Sequence, residues 1–133
     1  MSMHFFFYGT LIPEFAPAHL RETLRSLQVV GEGWLRGTLY NFGNYPGAVF
    51  DQTAGSKVFG RVYRAPSDDE FLAALDRYEG YDPSLPANCE YVRRSVAVEV
   101  DNGELLDCWV YEFNGSAGTA PVISNGRWAG GSR

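Results

Sequence analysis

The sequence is short of positive charge. Its 133 residues hold 11 Lys and Arg against 16 Asp and Glu, a formal net charge of -5. Non-specific nucleic-acid binding needs a basic surface, so nucleic acid is not expected as a partner. Cysteine and histidine are equally scarce, two of each. Cys89 and Cys108 make no metal-ligand spacing with each other or with His4 and His19, so no metal is expected. A disulfide between them stays open, and a reduced, cytoplasmic protein is the simpler expectation. No stretch approaches the roughly 20 apolar residues that cross a bilayer, so no membrane partner is expected. The first residues carry neither a basic segment nor a long apolar one, and no secretory signal is expected. No Gly-rich nucleotide fingerprint follows a strand, and there is no internal repeat.

What the sequence has is aromatic residues at 15%, together with 15 Gly and 7 Pro. That composition suits one globular domain rich in turns, spanning 1–133, with about 114–133 as a C-terminal loop and a frayed final GGSR. The acids are unevenly placed. Pro66–Glu112 holds 12 of the 16 acids and 3 of the 11 Lys and Arg. A solvated acidic surface explains this, and a protein-interaction face is the alternative.

Hydrophobic periodicity gives the elements. His4–Tyr8 is apolar at nearly every position, the pattern of a strand buried on both faces. Ala18–Gln28 places Leu20, Leu24 and Leu27 on one helical face, with Pro17 suited to the first turn. Between Val29 and Tyr63 alternating runs read as bent strands, with Gly37 and Gly60 marking bulges, bends or close backbone approach. Residues 44–50, NYPGAVF, read as a Pro-Gly turn followed by a strand. Ser67–Tyr78 is the clearest helix. Ser67 and Glu70 form a capping box, and Phe71, Leu72, Leu75 and Tyr78 make the apolar stripe. Gly80 stops it. Asp101-Asn102-Gly103 between two strand-like runs signals a hairpin. The order predicts an α+β domain, a mixed or barrel-like sheet with two helices packed outside.

Glu79 is the most informative polar residue. Leu72, Leu75 and Glu79 fall at i, i+3 and i+7, so the carboxyl continues the apolar stripe. It also sits at the negative end of the helix dipole. Desolvation and the dipole both disfavour the charged form and raise the pKa toward the range of a general acid/base. The plain alternative is a helix end that frays and reaches water. The turn Tyr8-Gly9-Thr10-Leu11 can present successive backbone N–H groups as a small anion nest, or can be an ordinary strand-to-loop turn. Asp82, three residues after Glu79, is a possible carboxylate partner. Cys89 is a weak candidate nucleophile, and the two histidines read as structural or surface residues. Tyr111 shares a strand face with Trp109 and Phe113, the pattern of a core.

Three separated motifs, FFYGTL, YPGAV and LDRYEGYDPSLPANCEYVRRSVAV, together resemble the gamma-glutamylcyclotransferase-like family, and most of all its small gamma-glutamylamine cyclotransferase branch. The resemblance covers about Phe5 to Phe113. It implies a small, mostly antiparallel β-barrel with flanking helices and a cavity at one end. It implies an enzyme that cyclises a γ-glutamyl amine or peptide to 5-oxoproline, releasing the amine without a cofactor. The catalytic residue it implies is Glu79, with Tyr8, Gly9, Thr10 and Leu11 as the glutamyl-holding loop and Tyr111 as a supporting contact. The Asp82–Glu90 connection is longer than the family needs and lies next to Glu79, where it can reshape the pocket. A non-catalytic domain binding small carboxylates on the same fold is the alternative function.

Overall fold

The structure is a computed structural model that describes residues 2–129. The GGSR end, expected to fray, lies outside the described residues. Six strands are present: β1 (Ser2–Phe7), β2 (Gln28–Asn41), β3 (Pro46–Phe50), β4 (Lys57–Pro66), β5 (Tyr91–Val100) and β6 (Leu105–Phe113). The sheet order is β3-β2-β4-β1-β6-β5, and an additional β2–β5 pairing closes five strands into a barrel with β3 attached outside it. All pairings are antiparallel except β1 with β6, so this is the expected mixed, mostly antiparallel barrel. Two α-helices flank it, α1 (Ala18–Arg21) and α2 (Asp69–Glu79).

The first strand explains the layering. Phe5, Phe6 and Phe7 are all buried. Phe6 points into the barrel among Val58, Val62, Val98 and Val110. Phe5 and Phe7 point the other way, into a second core with Leu20, Leu24, Leu75 and Tyr111. A side chain of this size contributes about 1.5–3 kcal/mol when fully buried, so both faces of this one strand are strongly held.

Three local expectations are corrected. The helix expected over 18–28 is one α-turn followed by a 3₁₀ turn at Thr23–Ser26, and β2 already begins at Gln28. Leu20 and Leu24 still pack inward, so the apolar pattern survives while the helix does not continue. The cap of α2 is Asp68, whose carboxylate accepts from the Glu70 and Phe71 N–H groups, rather than Ser67. The Pro-Gly pair lies inside β3, and the turn is one step earlier, with Phe42 N–H donating to the Tyr45 carbonyl at 3.0 Å. A proline is tolerated there because β3 is an edge strand. At Gly37 and Gly60 the expected close backbone approach is found, to the Val49 and Phe7 carbonyls, while the bulge of β2 lies between Val29 and Gly31.

The expected hairpin is present, with Val100 N–H bonded to Glu104 and Gly103 N–H to Val100. Residues 114–129 form no helix or strand beyond a single bridge, Tyr40 to Val122. They nevertheless run along β2 and β4, and Trp128 enters the barrel core. Both cysteines are free thiols. No helix among the described residues is long and apolar enough to cross a membrane.

Candidate active site

A cavity of about 340 Å³ opens at one end of the barrel, between the β1–α1 loop, the start of β3, the end of α2 and the start of β5. It brings together the catalytic and substrate-binding residues that the family resemblance implies: Tyr8, Gly9, Thr10, Leu11, Glu79 and Tyr111 all line it. Asn44, Tyr45, Pro46, Tyr78, Glu90 and Tyr91 complete the wall with Phe6 and Phe7.

Glu79 reaches the cavity because α2 is anchored beside it. Gly80 ends the helix in the left-handed conformation (φ 71°) and donates its N–H back into the last turn. One turn earlier, the buried Asp76 carboxylate accepts from Arg93 Nε at 2.8 Å and Nη2 at 3.2 Å, and from the Tyr111 hydroxyl at 2.6 Å. This bidentate pair ties α2 to β5 and β6, while the Arg93 guanidinium stacks on Trp109 at 4.4 Å. Asp76 is three residues before Glu79, so the clamp fixes the helix turn that carries the acid. The sequence reading missed it, although Asp76 stands beside Leu75 at the edge of the apolar stripe.

Burial raises the pKa of the Glu79 carboxyl to about 8, and the charge of Glu90 adds to the effect. Glu79 is half-buried: the surrounding protein desolvates its carboxyl, which still meets the cavity. Among the described residues, no group donates a hydrogen bond to it. The second negative neighbour is therefore Glu90. Asp82 is exposed, folds onto Ser84 at 2.7 Å and stays outside the cavity.

The loop after β1 owes its glycine to packing. Gly9 has no positive φ. Its missing side chain makes room for Pro46: a Cβ there would lie 2.5 Å from the proline Cγ. Gly9 is thus explained by a neighbouring strand. The turn closes with Ile12 N–H donating to the Gly9 carbonyl at 2.9 Å. The N–H groups of Gly9, Thr10 and Leu11 have no acceptor among the described residues, so the donors of an anion nest are free.

The tyrosines are committed elsewhere. Tyr8 donates to the Tyr111 carbonyl at 2.6 Å and accepts from Ala48 N–H at 3.2 Å. Tyr91 donates to the Pro46 carbonyl at 2.7 Å. Tyr111 donates to Asp76, so its ring lines the cavity while its hydroxyl faces the clamp. Burial holds all three phenols well above their ordinary pKa, and they stay neutral donors. Glu79 is left as the unpartnered group that titrates near neutral pH.

Other candidates lie away from the cavity. Cys89 accepts from Asp82 N–H at 3.2 Å and braces the 82–90 connection. His19 is exposed near Tyr78, and His4 sits on β1. Among the described residues, no group of three or more His, Cys, Asp or Glu is arranged to hold a metal ion.

Comparison with known proteins agrees with this geometry. The family model described as "Gamma-glutamyl cyclotransferase, AIG2-like" matches residues 5–130. No curated protein sequence matches. Among solved structures, ytfP from Escherichia coli is 27% identical with a TM-score of 0.65, covering 96% of both chains. An AIG2-like protein from Mus musculus has a TM-score of 0.70 at 23% identity, covering 96% of this chain and 88% of that one. A protein described as gamma-glutamyl cyclotransferase has a TM-score of 0.63 at 19% identity, covering 92% of this chain and 70% of its own. The last two are likenesses of fold.

Proposed function

The chain belongs to the gamma-glutamyl cyclotransferase, AIG2-like family, and we propose that it cyclises a γ-glutamyl amine or peptide to 5-oxoproline, releasing the free amine. The observation that carries this is Glu79: an unpartnered carboxyl whose pKa burial raises to about 8, in a cavity also lined by Gly9, Thr10 and Leu11, whose N–H groups have no acceptor among the described residues.

The chemistry needs little more. The α-amine of the glutamyl group attacks its own γ-carbonyl, the new C–N bond closes a five-membered ring, and the bond to the leaving amine breaks. In becoming the lactam N–H the attacking ammonium loses two protons, one to free its lone pair and one as the new C–N bond forms. The departing nitrogen gains one to leave as the amine, and the other goes to solvent or to that released amine. Glu79 as carboxylate takes a proton from the attacking nitrogen and, as the acid, passes it to the departing one. Its raised pKa keeps both forms accessible near neutral pH. Because attack is intramolecular, the site mainly has to select the folded substrate conformer, and such orientation can be worth effective molarities of about 10⁵–10⁸ M. The N–H groups of Gly9, Thr10 and Leu11 suit the substrate α-carboxylate, since among the described residues no cationic side chain lines the cavity. None of these steps calls for a cofactor.

Incubation with a panel of γ-glutamyl amines and γ-glutamyl dipeptides, followed by detection of 5-oxoproline, tests the reading. Stoichiometric 5-oxoproline and free amine are expected from at least one member. Tight binding of glutamate analogues with no turnover of any member would instead identify a non-catalytic carboxylate-binding domain.

A further inference from the structure

The cavity has a closed end and an open one, and the two differ in chemistry. Tyr8, Gly9, Leu11, Tyr91 and Tyr111 are buried, whereas Asn44, Tyr45 and Glu90 are exposed and form the mouth. Glu90 ends the Asp82–Glu90 connection and meets the cavity just before β5. The Tyr45 hydroxyl donates to its Oε2 at 2.9 Å, which orients the carboxylate and leaves Oε1 free. The Tyr45 ring stands edge-on to Tyr91, with centroids 6.4 Å apart. The mouth therefore offers a carboxylate beside the Tyr45 hydroxyl, and among the described residues the cavity lining contains no Lys, Arg or His to balance it.

The direction of the substrate follows if the loop N–H groups hold the α-carboxylate at the closed end. The γ-carbonyl then lies near Glu79, and the leaving amine extends outward past Tyr45 and Glu90. We propose that Glu90, oriented by Tyr45, is a specificity residue that selects γ-glutamyl conjugates whose leaving amine carries a second, cationic ammonium group. This rests on the cyclotransferase reading and adds the class of leaving amine. A cation at the mouth meets a carboxylate and aromatic faces, both of which attract it. An anionic group there meets Glu90 and, deeper in, Glu79. A cation on Glu90 also offsets the charge that disfavours ionised Glu79, so the preferred substrate favours its own general base.

The test compares two substrates of nearly equal shape: the γ-glutamyl conjugate of 1,4-diaminobutane and that of pentylamine, in which a methyl replaces the ammonium. Wild-type kcat/KM is expected to favour the diamine conjugate by roughly five- to tenfold, falling as salt rises, because the mouth is exposed. In Glu90→Gln that ratio is expected to fall to about one. A ratio near or below one in the wild type overturns this inference while the cyclotransferase reading stands. A wild-type preference that survives unchanged in Glu90→Gln overturns the assignment to Glu90. If neither conjugate, nor any other γ-glutamyl amine, yields 5-oxoproline, both readings fall.

Discussion

Replacing Glu79 with glutamine should stabilise the protein, and the gain should grow with pH. The folded carboxyl has a pKa of about 8 against an ordinary 4.5. Between these values the folded state binds more protons than the unfolded chain, so stability falls as pH rises through this window and levels off above it. The gap between the two values, at about 1.4 kcal/mol per pH unit, corresponds to about 5 kcal/mol at full ionisation. Access of water through the cavity mouth reduces this, and about 2–4 kcal/mol is the working figure at pH 9. At pH 5 the same cost is under about 1 kcal/mol. Glutamine carries no such cost. Any penalty for an unpartnered amide is the same at every pH, so the change in the difference isolates the charge. For a domain of this size the pH 9 advantage is a rise in Tm of roughly 6–15 °C. Thermal unfolding of both proteins at pH 5, 7 and 9 measures it. An offset between the two that does not change with pH would show that Glu79 is not desolvated, and the case for a raised pKa would collapse.

Four further outcomes are expected. The acid limb of kcat/KM should lie near pH 8, where free Glu79 ionises, and the limb of kcat should lie lower, because the substrate ammonium favours the carboxylate in the complex. In Glu90→Gln the kcat/KM limb should also move down, since one negative neighbour is gone; a limb that stays put in a pH–rate series argues against the coupling. Gly9→Ala should cost about 1–3 kcal/mol in chemical denaturation by forcing Pro46 aside, and pairing it with Pro46→Ala should recover part of the loss. Asp76→Ala strands the Arg93 guanidinium and the Tyr111 hydroxyl, and urea unfolding should show a loss of about 3–5 kcal/mol.

What could be read from the sequence was whatever depends on neighbours along the chain. The run of apolar residues in β1, the Leu72-Leu75-Glu79 spacing in α2 and the Asp-Asn-Gly hairpin are local patterns, and each appears in the fold. The stripe also carried Glu79 to the cavity. Partners set by long-range geometry were not readable in this way. Glu90 reaches the mouth through a nine-residue connection whose path depends on the Cys89 and Asp82 contacts that brace it. Pro46 fills the space beside Gly9 only because β3 is laid over the barrel end by the Tyr8 and Tyr91 hydroxyls. The same distinction explains the misread Pro-Gly pair. A dipeptide that favours turns in isolation sits in a strand here, because the edge position requires no N–H from the proline.

The role of Glu79 is tested most directly by single-turnover release of 5-oxoproline from a γ-glutamyl substrate, comparing the wild type with Glu79→Gln at pH 8. Glutamine keeps the shape of the side chain and cannot shuttle the proton. The rate of ring closure is expected to fall by about 10²–10⁴-fold while substrate binding is largely kept. Ring closure by the glutamine variant at a rate within a few-fold of wild type would contradict the assignment of Glu79 as the acid/base.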